Sequence, residues 1–206
     1  MLFDFDGVIA DTEPQYDIYI DDLGERYKLG IEGFAKKVKG TTTPDIIKKY
    51  FNHLSPQEQI AIKEDVDKFE QQMGFPLVAG VNQFIDYLKK NNYKIGLVTS
   101  SPDEKMKRAL PILNMMETFD TIVTASRITA GKPNPMCYLL AAKDLNVSPS
   151  ECIVFEDSFH GVKAGKDAGM RVVGVSTTLS PEELKDKADY VVNDFTDIEQ
   201  IVRYLI

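Results

Sequence analysis

Short runs of apolar and β-branched residues recur along the chain, with longer mixed stretches between them. The runs are Met1-Leu2-Phe3-Asp4-Phe5, Tyr93–Val98, Thr121–Val123, Cys152–Phe155, Arg171–Val175 and Tyr190–Val192. Their apolarity is continuous rather than alternating, which predicts strands buried on both faces, as in a parallel sheet. The stretches between them have helix signals. Asn134-Pro135 predicts a cap and first helical position ahead of Met136–Leu145. Gly169 predicts a terminating glycine after Lys166-Asp167-Ala168, and Ser180 a cap before Pro181-Glu182-Glu183-Leu184. Gly161, Gly165 and Gly169, four apart, predict a helix packed closely on the sheet. Strand and helix in alternation predict an α/β fold with a doubly wound parallel sheet.

One stretch breaks the alternation. Between Glu13 and Phe75 the pattern offers only helices, near Tyr16–Tyr27, Pro44–Phe51 and Pro56–Met73, separated by Gly30, Gly33, Gly40 and Ser55-Pro56. The expected organisation is a core from residues 1–11 and 79–206, interrupted by an α-helical insertion over residues 12–78. The length of 206 residues, one domain and a remainder, agrees with such an insertion. Apolar content of 43% with 27% charged residues excludes a disordered chain. A net charge of -8 argues against a nucleic-acid surface, which needs clustered positive charge. No apolar run reaches the length of a membrane span, and the first residues lack the pattern of a signal peptide. Two cysteines, Cys137 and Cys152, are too few for a disulfide framework or a thiolate zinc cage. The expectation is a cytoplasmic protein with neither nucleic-acid nor membrane partners.

Four clusters at predicted strand ends carry chemistry. Asp4-Phe5-Asp6-Gly7 puts two carboxylates at the carboxyl end of the first strand, where open α/β sheets bind ligands, and the turn at Gly7 redirects the chain. Carboxylates this close repel and call for a cation or a proton between them. Val98-Thr99-Ser100-Ser101 offers hydroxyls and N–H groups at a strand-to-helix junction, an anion cradle or a simple N-cap cluster. Lys132, between Gly131 and Pro133, is restrained enough to neutralise a phosphate and steady a carboxylate. Glu156-Asp157-Ser158 supplies hard oxygen ligands of the kind magnesium uses together with a substrate phosphate. His53 is read as a helix-end surface residue, and His160, close behind the acidic pair, as a minor candidate for lining the site.

In this order the clusters resemble the haloacid dehalogenase-like phosphohydrolase superfamily, in the branch of phosphoglycolate phosphatases, sugar-phosphate phosphatases and β-phosphoglucomutases. The resemblance spans essentially the whole chain, with a helical cap inserted after the first cluster. Members of the family often carry several more residues ahead of the nucleophile. The resemblance implies a Rossmann-like core with Asp4 as nucleophile, Asp6 as general acid/base, Thr99 as phosphoryl binder and Lys132 as its stabiliser. It implies magnesium held by Asp4, Asp6 and the pair Glu156 and Asp157, of which Asp157 is the more direct ligand. Gly7, Ser100 and Ser101, and Gly40 and Thr43 of the cap, are the implied substrate contacts. The implied activity is magnesium-dependent hydrolysis of a small phosphorylated metabolite, a sugar or polyol phosphate, through an aspartyl phosphate, by a monomer or weak homodimer.

Two rivals remain. A β-phosphoglucomutase must hold a second phosphate with fixed cations. That branch has an arginine where this chain has Thr43, a basic residue where it has Pro102 and a histidine where it has Tyr16. Lys39 or Lys105 could replace the missing charge. A non-catalytic binding protein on the same fold is disfavoured, because every chemical position holds a competent residue type. A halide-releasing dehalogenase is disfavoured by Asp6, the leaving-group acid that such enzymes lack.

Overall fold

In the computed structural model, which describes residues 1–38 and 43–205, the apolar runs pair as six parallel strands. The chain begins with β1 (Leu2–Phe3) and continues into four helices, α1 (Glu13–Arg26), α2 (Phe34–Val38), α3 (Thr43–Tyr50) and α4 (Pro56–Gln72). It then alternates through α5 (Val81–Lys90), β2 (Gly96–Val98), α6 (Asp103–Ile112), β3 (Thr121–Val123), α7 (Met136–Asp144) and β4 (Ile153–Glu156). The remaining elements are α8 (Phe159–Asp167), β5 (Arg171–Val175), α9 (Pro181–Leu184), β6 (Tyr190–Val192) and α10 (Ile198–Leu205). The sheet order is β3-β2-β1-β4-β5-β6. The chain lays down β1, β2 and β3 to one side, then crosses back to put β4 on the other side of β1. That reversal, between β1 and β4, is the crevice where doubly wound sheets bind ligands.

The two faces of the sheet are filled differently. Phe3 and Phe155, on adjacent strands, stack at 4.7 Å, and Phe84 of α5 stacks on Phe195 at 5.4 Å. Leu2 and Val154, one residue earlier on the same strands, join Tyr138, Ala141, Cys152, Val162 and Leu184 in a second buried cluster. Period-two alternation thus sends neighbouring residues to opposite, equally apolar faces. Each such side chain, fully buried, contributes about 1.5–3 kcal/mol. Both cysteines are buried and free.

The strands are shorter than the apolar runs. β1 stops at Phe3 because the chain turns at once: the N–H groups of Val8, Ile9 and Ala10 all donate to the Phe5 carbonyl. β2 starts at Gly96, and Tyr93, assigned to it from sequence, is exposed. The helix after Pro135 starts one residue later than expected, with Asn134 Oδ1 accepting the Met136 N–H. Short α2 lies where only glycine breaks were read.

The chain divides into a core unit, Met1–Asp11 with Phe75–Ile206, and a helical unit, Thr12–Gly74. The return crossing falls at 74/75 rather than 78/79 because the intervening residues bond to the core. The Phe75 ring packs edge-on against Phe5, Leu77 bridges Ala10, and the Val78 N–H donates to the Ile9 carbonyl. The helical unit has its own buried centre of Leu23, Phe34, Phe51 and Ile62. Its longest helix, α4, opens with a reciprocal cap between Ser55 and Glu58. Among the described residues, no helix is long and apolar enough to cross a membrane.

Candidate active site

Three adjacent central strands end in the polar residues singled out by sequence. Asp4 follows β1, Thr99 follows β2, Glu156 closes β4 and Asp157 follows it. The parallel register aligns Phe3 with Leu97 and with Phe155, so these ends lie side by side. Lys132, from the loop before α7, joins them. Its Nζ lies 2.8 Å from Asp4 Oδ1, 2.6 Å from Glu156 Oε1 and 3.1 Å from the Val98 carbonyl. Burial alone would pull the Lys132 pKa down, but Asp4 and Glu156 outweigh it and hold the ammonium well above its ordinary value. Burial raises the Asp4 carboxyl to about 7; Lys132 opposes that rise, while Glu156 and Asp6 add to it.

Glu156 organises the site. It is wholly buried, and its Oε1 accepts from Lys132 and from the Tyr138 hydroxyl. Its Oε2 accepts from the N–H groups of Asp157 and Ser158 and from Ser158 Oγ. Five donors thus surround a carboxylate with about four lone-pair positions. Burial and the charge of Glu156 in turn push the Tyr138 phenol well above its ordinary range. Two glycines leave room for the acids. A Cβ on Gly161 would stand 1.7 Å from Glu156 Oε1, and one on Gly7, itself at φ 73°, would stand 2.0 Å from Asp157 Oδ2. Thr177 donates to the Gly7 carbonyl and Thr178 to Asp157, so the loop after β5 clamps both.

The Asp6 side chain stands apart from these acids. Lys105 Nζ, from the first turn of α6, lies 2.7 and 2.8 Å from its two oxygens, and Ser101 Oγ donates to Oδ2 at 2.9 Å. Thr99 is buried, and its Oγ1 accepts the Ser101 N–H. Ser100 is exposed at the junction into α6. Thr43 opens α3 in the helical unit, and Gly40 lies outside the described residues. His53 and His160 are exposed.

Asp4, Glu156 and Asp157 each present an oxygen within 4.8 Å of the others. Asp4 and Glu156 share the Lys132 ammonium, and Asp6 pairs with Lys105. A donor set made only of hard carboxylate oxygens fits a divalent cation of the magnesium type. The Asp6 side chain, expected to share in holding the metal, is not in this group.

Sequence reasoning missed Tyr138, Thr177 and Thr178, and the use made of Ser158 and Gly161. Ser158 had a readable signal, as a cap whose Oγ accepts the Gly161 N–H. Gly161 was read as helix packing, yet it serves Glu156. Nothing in the spacing of Tyr138 or of the two threonines marks them out.

Comparison with known proteins identifies the family. A family model of haloacid dehalogenase-like hydrolases matches residues 1–175. The chain is 31% identical to the phosphorylated carbohydrates phosphatase of Thermotoga maritima, covering 87% of this chain and 86% of that one. It is 27% identical to hexitol phosphatase B of Escherichia coli K12, over 96% and 92% of the two chains. The crystal structure of β-phosphoglucomutase from Clostridium difficile superposes with a TM-score of 0.77 at 28% identity, covering 99% of this chain and 95% of that one. The chain therefore belongs to the haloacid dehalogenase-like hydrolase family, in the branch shared by phosphatases and β-phosphoglucomutases.

Proposed function

We propose that the protein is a magnesium-dependent phosphatase of sugar or polyol phosphates that works through an aspartyl phosphate on Asp4. The observation that carries this reading is the meeting of Asp4, Lys132, Glu156 and Asp157 at the sheet's reversal point. Asp4 attacks phosphorus, and the bond from phosphorus to the ester oxygen breaks as Asp6 gives that oxygen a proton. Water then attacks the phosphoryl group, Asp6 takes its proton, and the bond to Asp4 breaks to release inorganic phosphate. Dividing the hydrolysis this way replaces one difficult displacement by two easier ones. Thr99 and the N–H groups after β2 receive the phosphoryl oxygens, and Lys132 holds the nucleophile. Asp4, Asp157 and the Asp6 carbonyl would hold the metal, with Glu156 beside them. Bound there, the ion offsets the repulsion between an anionic ester and an anionic nucleophile.

The phosphatase relatives favour a phosphorylated carbohydrate or polyol. The mutase alternative is weaker, because the positions at which that branch carries cations do not supply them here. Pro102 precedes α6, the Tyr16 hydroxyl donates to Glu70 within the helical unit, and Lys105 is engaged by Asp6, while Lys39 lies outside the described residues. A screen of phosphorylated metabolites, followed by free phosphate with magnesium and with a chelator, tests the reading. Phosphate release from a sugar or polyol monophosphate that requires magnesium is expected. Activity untouched by the chelator removes the metal role, and isomerisation of a sugar phosphate faster than phosphate release makes the enzyme a mutase.

A further inference from the structure

The proposed chemistry has no direct use for Lys105, yet its side chain is only 5% exposed. A lysine ammonium is withdrawn from water only where a partner compensates it, since an unpaired buried charge is costly. Here the partner is Asp6, and the contact is two-pronged, 2.7 Å to one oxygen and 2.8 Å to the other. An ammonium shared almost equally by both oxygens holds the position of the carboxyl group, and a separate donor on one oxygen sets its rotation. That matters because the terminal torsion of an aspartate is broad and otherwise weakly held. Ser101, four residues earlier in the same loop and helix, adds a third donor on Oδ2, and the Lys105 ammonium lies 5.9 Å from the centre of the Phe5 ring. One short segment after β2 thus both cradles the phosphate site and grips the carboxylate from β1.

We infer that Lys105 is a positioning residue that, with Ser101, aims the Asp6 carboxylate for proton transfer. The inference rests on the role given to Asp6 above. It differs from a purely structural ion pair, which would serve the fold whatever Asp6 does. It also differs from an anion site, at which Lys105 would bind the substrate itself.

A double-mutant cycle separates these. The variants are Lys105→Met, Asp6→Asn and the pair, with kcat/KM measured on a hexitol phosphate and on p-nitrophenyl phosphate. This ratio reports the transfer to Asp4, where leaving-group protonation counts for the poor alkyl leaving group and little for the nitrophenolate. Lys105→Met is expected to lose about 10²-fold on the alkyl ester, the size of loss caused by misplacing a reacting group by about 1 Å, and a few-fold at most on the aryl ester. It is expected to cost nothing further in the Asp6→Asn background. Equal losses on both esters, or full multiplication of the two effects, overturns the inference. A rise in KM alone, the same in both backgrounds, overturns it in favour of a substrate-binding lysine. Thermal unfolding checks that each variant folds, and Lys105→Gln gives the same comparison with a polar side chain if the methionine variant does not. Equal loss on both esters in Asp6→Asn itself would instead remove the proton-transfer role, and the inference with it.

Discussion

In the core unit, charged side chains lie inside the protein and hold one another. Glu156 is fully buried, and the side chains of Lys132 and Lys105 are 7% and 5% exposed. The helical unit also has a polar network, in which Arg26 donates to Asp65 and Tyr19 donates to the same carboxylate. There, however, Arg26 and Asp65 are 42% and 40% exposed. Removing one partner of a buried pair typically costs about 3–5 kcal/mol, whereas an exposed pair contributes about 0–1 kcal/mol. Glycines are tight beside the acids, although not throughout the core: Gly131 and Gly169 face open space, and Gly24 of the helical unit meets the Phe34 ring. Gly7 and Gly161 leave no room for a Cβ beside the acids, while Gly30 and Gly33 in the helical unit face open space. The core is therefore intolerant of substitution around its chemistry, whereas the exposed polar network of the helical unit is free to vary. That is the division expected if the core supplies the phosphoryl transfer and the insertion the choice of substrate.

The widest gap between the units is in activity. Asp4→Asn should lower turnover by at least about 10⁴-fold, the scale of losing a nucleophile, as read by phosphate release. Its stability should move the other way. The Asp4 pKa is raised from 3.8 to about 7, so the native state holds that proton more tightly than the unfolded chain. This group therefore destabilises the fold as pH rises from about 4 to 7. Thermal unfolding of metal-free protein should show Asp4→Asn gaining on the parent across that window, and parallel curves would refute the raised pKa.

Next in size, Lys132→Met leaves Asp4 and Glu156 uncompensated and should cost about 3–5 kcal/mol, measured by denaturant unfolding. A cost below about 1 kcal/mol would place the core pair on a level with the exposed ones. Gly161→Ala should cost about 1–3 kcal/mol by overpacking and lower activity by displacing Glu156. Gly33→Ala, strained by its φ of 61° but unobstructed, should cost about 1–2 kcal/mol and leave turnover of p-nitrophenyl phosphate unchanged. The smallest effect belongs to Arg26→Met, at most about 1 kcal/mol, seen in unfolding and absent from aryl phosphate turnover.

The sheet was legible because its strands are buried on both faces, so that runs such as Ile153–Phe155 stand out from the helices without alternation. Asp4, Asp6, Thr99, Lys132, Glu156 and Asp157 were legible because each adjoins such a run or a glycine–proline loop. Side-chain reach was not legible. Nothing in the spacing from Lys105 to Asp6, 99 residues apart, says that one grips the other, and Tyr138 reads as core until its hydroxyl is seen on Glu156. The boundary of the insertion was misplaced because Phe75, Leu77 and Val78 belong to the core through pairings with Phe5, Ala10 and Ile9, which no local pattern records.

The central claim, that the phosphoryl group passes through Asp4, is tested most directly by trapping it there. The parent protein and Asp6→Asn, in which loss of the base slows the second transfer, are quenched in acid during turnover of radiolabelled p-nitrophenyl phosphate and digested. The account predicts a base-labile label on the peptide holding Asp4, more of it in Asp6→Asn, and none in Asp4→Asn. Steady phosphate release with no label in either the parent or Asp6→Asn, or a label that survives Asp4→Asn, would contradict it.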